Sequence, residues 1–328
     1  MDDFQKVFQG KRILVTGGTG SIGSEIVRQL LNYTPKQVRV YSRDDSKQFE
    51  LQQELDSEKS RKILRFLIGD IRDKDRLNRA FNDIDIVFHT AALKHVSFCE
   101  INPFEAIKTN IQGTQNVLEL AIDHKVEKVI AISSDKAVYP NTVLGISKLM
   151  MERLMIAASN YSGHPESKFS VVRFGNVINS RGSVIPLWIN QIKKGKEVTV
   201  THEKMERYFM STANAVNLVF MATQIMLGSE IFVLKMSKYN IHALAQEVIK
   251  RYGKGEKIKI KIIGMREREK INEKLFTEEE EELMIDVGPF NIIQSSIEVF
   301  LKHQSSYKNV KGPRSLEIPD IFSAIMPI

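Results

Sequence analysis

Cysteine is almost missing from this chain. Cys99 stands alone among 328 residues, which excludes an internal disulfide and any cysteine-built zinc site. Long apolar runs are missing too. The longest, such as KVIAIS and FSVVRF, fall far short of the ~20 residues a membrane helix requires. The N-terminal MDDFQKVFQGKR is charged and carries no apolar stretch of the secretory-signal kind. A cytoplasmic protein without a membrane partner is therefore expected. Lysine and arginine outnumber aspartate and glutamate by 47 to 40, a net charge of +7. No basic run interleaved with aromatics accompanies that excess, and bases alternate with acids, so nucleic acid is not the expected partner. A ligand bearing a diphosphate explains local basic residues equally well. Internal repeats and low-complexity linkers are absent, and no metal-ligand pattern is visible.

What is present is an alternation. KRILVTGG, QVRVYSRD, ILRFLIGDIRD, DIVFHTAAL, KVIAISSDKA and KFSVVRFGNVI read as six β-strands. Between them SEIVRQLLNY, SKQFELQQELDSEK, DRLNRAFND, PFEAIKTNIQGTQNVLELAIDH and SKLMMERLMIAASNY carry helical spacing. Strands alternating with helices predict an α/β fold of Rossmann type, with a doubly wound parallel sheet. After about residue 176 the alternation loosens. GSVIPLWINQIKKG and NIHALAQEVIKRYG read as helices, KIKIKIIG as a strand, and the acidic TEEEEELM as a solvated helix or loop. We expect residues 1–176 to be mainly a dinucleotide-binding domain, with parts of 200–250 returning to it. Residues 177–328 are expected to be mainly a smaller α/β substrate-binding cap.

TGGTGSIG lies between the first strand and the first helix. Its glycines, Gly17, Gly20 and Gly23, permit a tight turn and close approach of backbone to a pyrophosphate, which the following helix N-terminus attracts. With Thr16, Ser21 and Ile22 they are the expected pyrophosphate contacts. An acid at the end of the second strand would favour NAD by bonding the ribose 2′-hydroxyl. Here the sequence is YSRDDSK, in which Ser42, Arg43 and Lys47 suit a 2′-phosphate. NADP is therefore the expected cofactor, while Asp44 and Asp45 leave NAD open. Asp70, in GDIRD, is placed to accept from the adenine amino group or to cap a helix.

Together these residues resemble the extended short-chain dehydrogenases/reductases. The stretches VYSRDDSKQ, HTAALKHV, SSDKAVYP, RFGNVINSRGSVIPL and GMREREKINEKL are similar, more narrowly, to those of UDP-N-acetylglucosamine 4,6-dehydratases. The soluble members, those of bacilli among them, are closest in length, and the resemblance spans roughly residues 8 to 285. It implies oxidation at C4 of the sugar, loss of water across C5 and C6, hydride return to C6, and commonly a homo-oligomer. It also assigns roles. Ile71, Ala91, Ala92, Lys94 and Asn110 complete the cofactor contacts. Asp135 becomes the acid for water loss, Lys136 the C5 base, and Lys148 the lysine that holds the nicotinamide ribose. Lys94 and His95 border the sugar, and Asn110 keeps the central helix in register. Asn176, with Ser183 and Val184, meets the phosphate, sugar and uracil. Arg207 and Arg266 clamp the diphosphate, and Glu269 holds the uridine ribose.

One position departs from the wider superfamily. Four residues before Lys148, where a tyrosine usually takes the hydroxyl proton, stands Leu144. Leu144 is expected to pack against substrate or cofactor, but it does not titrate. Ser134 is the preferred substitute, relaying the C4 proton to Asp135 or water; Tyr139, swinging in from the loop, is the alternative. Relatives that lack the tyrosine include ones that retain configuration at C5, so retention is the expected outcome. A UDP-sugar 4-epimerase and a non-catalytic nucleotide-binding protein are the competing readings. Adjacent strand residues point to opposite faces, so Asp135 and Lys136 are not expected to form a simple structural salt bridge.

Overall fold

Six short runs rich in Val, Ile and Phe become the six expected parallel strands of a computed structural model, which describes residues 3–253, 255, 257–308 and 310. They are β1 Arg12–Thr16, β2 Gln37–Ser42, β3 Leu64–Ile68, β4 Ile86–His89, β5 Lys128–Ser134 and β6 Lys168–Phe174. The central strands are largely apolar because helices cover both faces; all four residues of β4 and six of the seven of β6 are buried. Later in the chain come β7 Asn176–Val177, β8 Val198–Val200, β9 Glu206–Met210, β10 Ile231–Leu234, β11 Lys238–Asn240, β12 Ile260–Ile262, β13 Met284–Asp286 and β14 Phe290–Ile293.

The main sheet has nine strands in the order β13-β14-β10-β6-β5-β4-β1-β2-β3. From β3 to β10 all neighbours are parallel, and β14 and β13 add an antiparallel edge. Strand order reverses between β1 and β4, the switch point at which doubly wound sheets bind ligands beyond their carboxyl ends. Helices Ser21–Leu30 and Thr212–Ile225 pack one face around Phe8, Phe88 and Phe220. Helices Lys74–Phe81, Gly113–Asp123 and Val143–Tyr161 cover the other around Phe81, Val129 and Phe169.

The cap has its own core. Helices Val184–Lys193 and Ile241–Tyr252 enclose Trp188, Val198, Phe209 and Leu244 beside β8 and β9. The return of chain to the first domain is larger than the expected parts of 200–250. Helix 212–225, β10 and the 284–293 hairpin all belong to the main sheet and its cover, because their apolar faces complete it. The stretch 311–328 of the expected substrate region lies outside the described residues.

Three local expectations need correction. The long helix read across residues 103–124 is three pieces: Pro103–Ala106, a π-helical segment Ile107–Gln112, and Gly113–Asp123. π-segments often mark functional sites, and this one carries Asn110. The polar helix read from residue 46 breaks at Leu55, and a second helix, Glu58–Ile63, starts at the Ser57–Ser60 capping box. The acidic run is not wholly solvated. It forms the helix Glu278–Glu282, and Glu280 turns inward to the buried Arg173 at 2.8 Å.

Candidate active site

Gly17 has φ +68°, and a Cβ there would lie 2.7 Å from the Ala91 backbone; one at Gly23 would lie 2.4 Å from the Gly17 carbonyl. Both positions therefore demand glycine, and they draw the loop between β1 and helix Ser21–Leu30 down onto β4. That helix begins at Gly20 without a side-chain cap, so its first amides face the cleft with their dipole. This glycine cradle and uncapped helix start fit a dinucleotide pyrophosphate. Gly17, Gly20, Ser21, Ile22 and Gly23 line one cavity of about 830 Å³ that continues into the cap. Thr16 does not join them. It is buried beneath the loop, its hydroxyl 2.8 Å from His89 Nδ1. Burial keeps that imidazole neutral, its pKa pushed down to about 3.

At the far end of the cleft Ser42, Arg43, Lys47, Asp70 and Ile71 line the wall. Arg43 lies 3.7 Å from Asp70, and Lys47 is paired with Asp44, which also caps its helix. The cations expected to meet a 2′-phosphate thus have acidic neighbours. Asp70 is not a helix cap, a role Asp73 fills. Its carboxylate accepts from the Arg72 backbone and guanidinium.

Ala91, Ala92, Lys94 and His95 border the cavity's middle. The Lys94 ammonium donates to the Arg181 carbonyl at 2.6 Å, and the His95 ring lies under Gly182, where a Cβ would lie 2.6 Å from it. Burial and Lys94 hold His95 below the usual histidine value. Asn110 does not line the cavity and is corrected from cofactor contact to support. Its amide bonds both backbone groups of Leu93 and the Ser147 hydroxyl, locking the segment after β4 against helix Val143–Tyr161.

The chemistry gathers where β5 ends. Ser134 caps a 3₁₀ turn, Asp135–Ala137, by accepting from the Lys136 amide at 3.2 Å. The strand stops at Ser134, so alternation no longer separates the next two side chains. Lys136 Nζ reaches Asp135 Oδ1 at 3.0 Å. They do form an ion pair, contrary to expectation. Asp135 is fully buried, and its Oδ2 has no hydrogen-bond partner among the described residues, leaving an acceptor at the cavity wall. Burial alone would lower the Lys136 ammonium, but Asp135 and Glu273 hold it above the usual lysine value.

Lys148 is buried one helical turn beyond Leu144 and donates to the Ile132 carbonyl at 2.7 Å. Burial pushes its pKa down to about 8. Leu144 is 3% exposed and packs with Cys99 and Ala106 at the cavity wall. Tyr139 does not replace the tyrosine. It lies outside the cavity lining, its hydroxyl near the Glu278 amide and its ring under Lys274.

On the cap side Asn176, Ser183, Val184, Arg207, Arg266 and Glu269 all line the cavity. Ser183 makes no cap bond, and its hydroxyl is buried without a hydrogen-bond partner among the described residues. Glu269 accepts from the Arg266 amide at 3.0 Å, so these two form one turn. Arg207 differs from the expected free clamp. It is buried, and its terminal nitrogens donate to the carbonyls of Glu206, Lys270 and Ile271. Sequence reasoning missed Glu273, a buried carboxylate in the same cavity. It also missed Arg181, which reaches the Thr19 carbonyl across the cleft. Among the described residues, no three or more His, Cys, Asp or Glu side chains could hold a metal, and no helix is long and apolar enough to cross a membrane.

Residues 13–295 match the model of the polysaccharide biosynthesis protein family. An uncharacterized membrane protein of Methanocaldococcus jannaschii is 53% identical, covering 88% of this chain and 89% of its own. A UDP-N-acetylglucosamine 4,6-dehydratase (inverting) of Campylobacter jejuni is 39% identical over 97% of this chain and 92% of its own. A UDP-glucose 4-epimerase of Rickettsia canadensis is 42% identical over 87% and 83%. The crystal structure of Pen from Bacillus thuringiensis superposes with a TM-score of 0.85 at 46% identity, covering 88% of this chain and 91% of that one.

Proposed function

The chain belongs to the polysaccharide biosynthesis protein family, within the extended short-chain dehydrogenases/reductases, and from that premise we propose that it is a UDP-N-acetylglucosamine 4,6-dehydratase. The observation that carries this reading is the pair of buried Asp135 and part-buried Lys136, open to the cavity that also contains the dinucleotide cradle. An epimerase needs to move hydride only at C4. A dehydratase must also take a proton from C5 and give one to the departing C6 oxygen, and an acid and a base in contact meet that need.

NADP is the cofactor we infer. Gly17, Gly20, Ser21 and Gly23 would hold its pyrophosphate, Arg43 and Lys47 its 2′-phosphate, and Lys148 its nicotinamide ribose. When bound, it supplies a hydride acceptor for C4 that gives the hydride back at C6. Ser134 takes the C4 hydroxyl into a hydrogen bond and passes its proton to water. A proton shift within the 3.0 Å pair leaves Lys136 neutral and Asp135 protonated. Lys136 then takes the C5 proton, which the 4-ketone acidifies, and Asp135 protonates the leaving hydroxyl. Leu144 supplies no proton, so Lys136 both takes and returns the C5 proton, and configuration is retained. The Campylobacter relative is described as inverting, which makes C5 a measurement of its own.

Purified protein incubated with UDP-N-acetylglucosamine and NADP is expected to yield a nucleotide sugar lighter by one water. In heavy water, NMR is expected to place deuterium at C5 with the original configuration. Lys136→Ala and Asp135→Asn are expected to stop water loss while dinucleotide still binds. An unchanged sugar from folded, dinucleotide-bound protein would sink the proposal. The similarity to a Rickettsia 4-epimerase favours a second reading, which an epimer of unchanged mass would establish.

A further inference from the structure

Glu273 sits in the loop between β12 and helix Glu278–Glu282, a region whose only obvious trait in sequence is charge. Yet it is 6% exposed, and its Oε2 is buried with no hydrogen-bond partner among the described residues. An unpaired carboxylate oxygen in the interior costs several kcal/mol unless nearby charge compensates it. Burial pushes its carboxyl above the usual glutamate value; the cations Lys136, Arg207 and Lys270 oppose that shift and the Asp135 carboxylate adds to it. The Lys270 ammonium is 3.8 Å from Oε2 but donates to the carbonyls of Val138 and Tyr139. Arg207 is occupied by three backbone carbonyls, two of them in the segment just before Glu273. Lys136 has the Asp135 carboxylate as its hydrogen-bond partner and no other described one.

The backbone that carries Glu273 is held on both sides. Before it, Arg207 grips Lys270 and Ile271, and the Glu206 amide donates to the Ile271 carbonyl at 3.1 Å. After it, the buried Arg173 holds the Leu275 carbonyl at 2.9 Å and the Glu280 carboxylate. Such double anchoring presents one side chain to a fixed place, which a solvated loop would not need.

We propose that Glu273 is a third member of the acid–base group, a positioning carboxylate that acts through Lys136 by keeping its ammonium charged until substrate arrives. Asp135 alone would make a neutral pair with Lys136. When ionised, a second carboxylate adds a negative charge beside the pair and shifts the pH at which Lys136 turns into a base. The direction of the Lys136 shift, upward despite burial, agrees with this. The inference rests on the dehydratase reading for its consequence in catalysis, but the interaction itself is testable without turnover.

The direct test is a pH titration of lysine Cε signals by ¹³C NMR in the full-length protein, with the Lys136 signal assigned by its loss in Lys136→Arg. Glu273→Gln is expected to lower the Lys136 midpoint by about one unit, the size of effect a nearby opposite charge exerts. Glu273→Asp keeps the charge but draws it back by one methylene, so its midpoint should fall by less. It carries the test alone if Glu273→Gln does not fold. A midpoint that falls in neither folded variant overturns the proposal. The kinetic counterpart is the pH profile of dehydration. Its ascending limb, which follows deprotonation of the base, is expected to move to lower pH in Glu273→Gln. A merely structural role would depress the rate at every pH and leave the limb in place. Should the wild type not dehydrate while the lysine signal still shifts, the functional reading falls and the Glu273 interaction stands.

Discussion

Lys148 shows what a single buried cation does to this protein. Its ammonium titrates near 8 in the folded chain against 10.5 ordinarily, because burial disfavours its charged form. Between those values the unfolded chain binds more protons at this group than the folded one. Stability contributed by this group therefore rises with pH across that window. Urea unfolding from pH 7 to 10 is expected to show the wild type gaining stability relative to Lys148→Met as pH rises. Parallel curves for the two proteins would contradict the assignment. At this scale the sequence was legible where chemistry is tied to a motif: Asp135, Lys136, Lys148 and Leu144 all line the expected cavity. It misled where a side chain's partner comes from elsewhere in the chain. Thr16 looks like a loop residue until His89, far along the sequence, takes its hydroxyl. Arg207 looks like a free guanidinium until the carbonyls of 270 and 271 fold over it. Glu273 could be found only by its burial, for which one glutamate among many carries no local signal.

Arg173 raises the matter to elements. It ties β6, helix Val143–Tyr161 and helix Glu278–Glu282 into one unit through Glu152 at 2.6 Å and Glu280 at 2.8 Å. Removing one partner of a buried ion pair strands the other charge, at about 3–5 kcal/mol. Arg173→Met is expected to lose that much in denaturant unfolding, and Arg173→Met with Glu152→Met distinctly less. Equal losses in the single and double variants would mean that the charge is not what matters. The strand and helix pattern of the first half was readable because each element is buried and periodic in the usual way. The acidic run was read as solvated because nothing local tells Glu280 from its neighbours; the distinction lies in Arg173, 107 residues earlier.

At the scale of the whole molecule the dominant feature is one continuous cavity walled by β1, β2, β4 and β5 ends on one side and by the cap on the other. A ligand that bridges those walls stabilises the folded state by mass action, by about 2.7 kcal/mol at a concentration one hundred times its Kd. Thermal melts are expected to rise with added NADP, and to rise less with NAD at equal concentration. A larger rise with NAD would reverse the cofactor assignment and point to Asp44 as the ribose contact. The broad architecture followed from the alternation of elements. How much of the second half rejoins the first did not, because β10 and β14 are four-residue strands whose partners lie in another part of the chain.

That late return has a consequence for how the molecule is made. The helix Thr212–Ile225 closes the face of the sheet on which Phe8 and Phe88 lie, and β10 extends β6. While the ribosome has delivered only the first two hundred residues, the dinucleotide half has its loop and its first six strands, but one oily side is covered by helix Ser21–Leu30 alone. That side of the nascent domain therefore shuts only when helix Thr212–Ile225 and β10 have been translated, before the cap helix Ile241–Tyr252 exists.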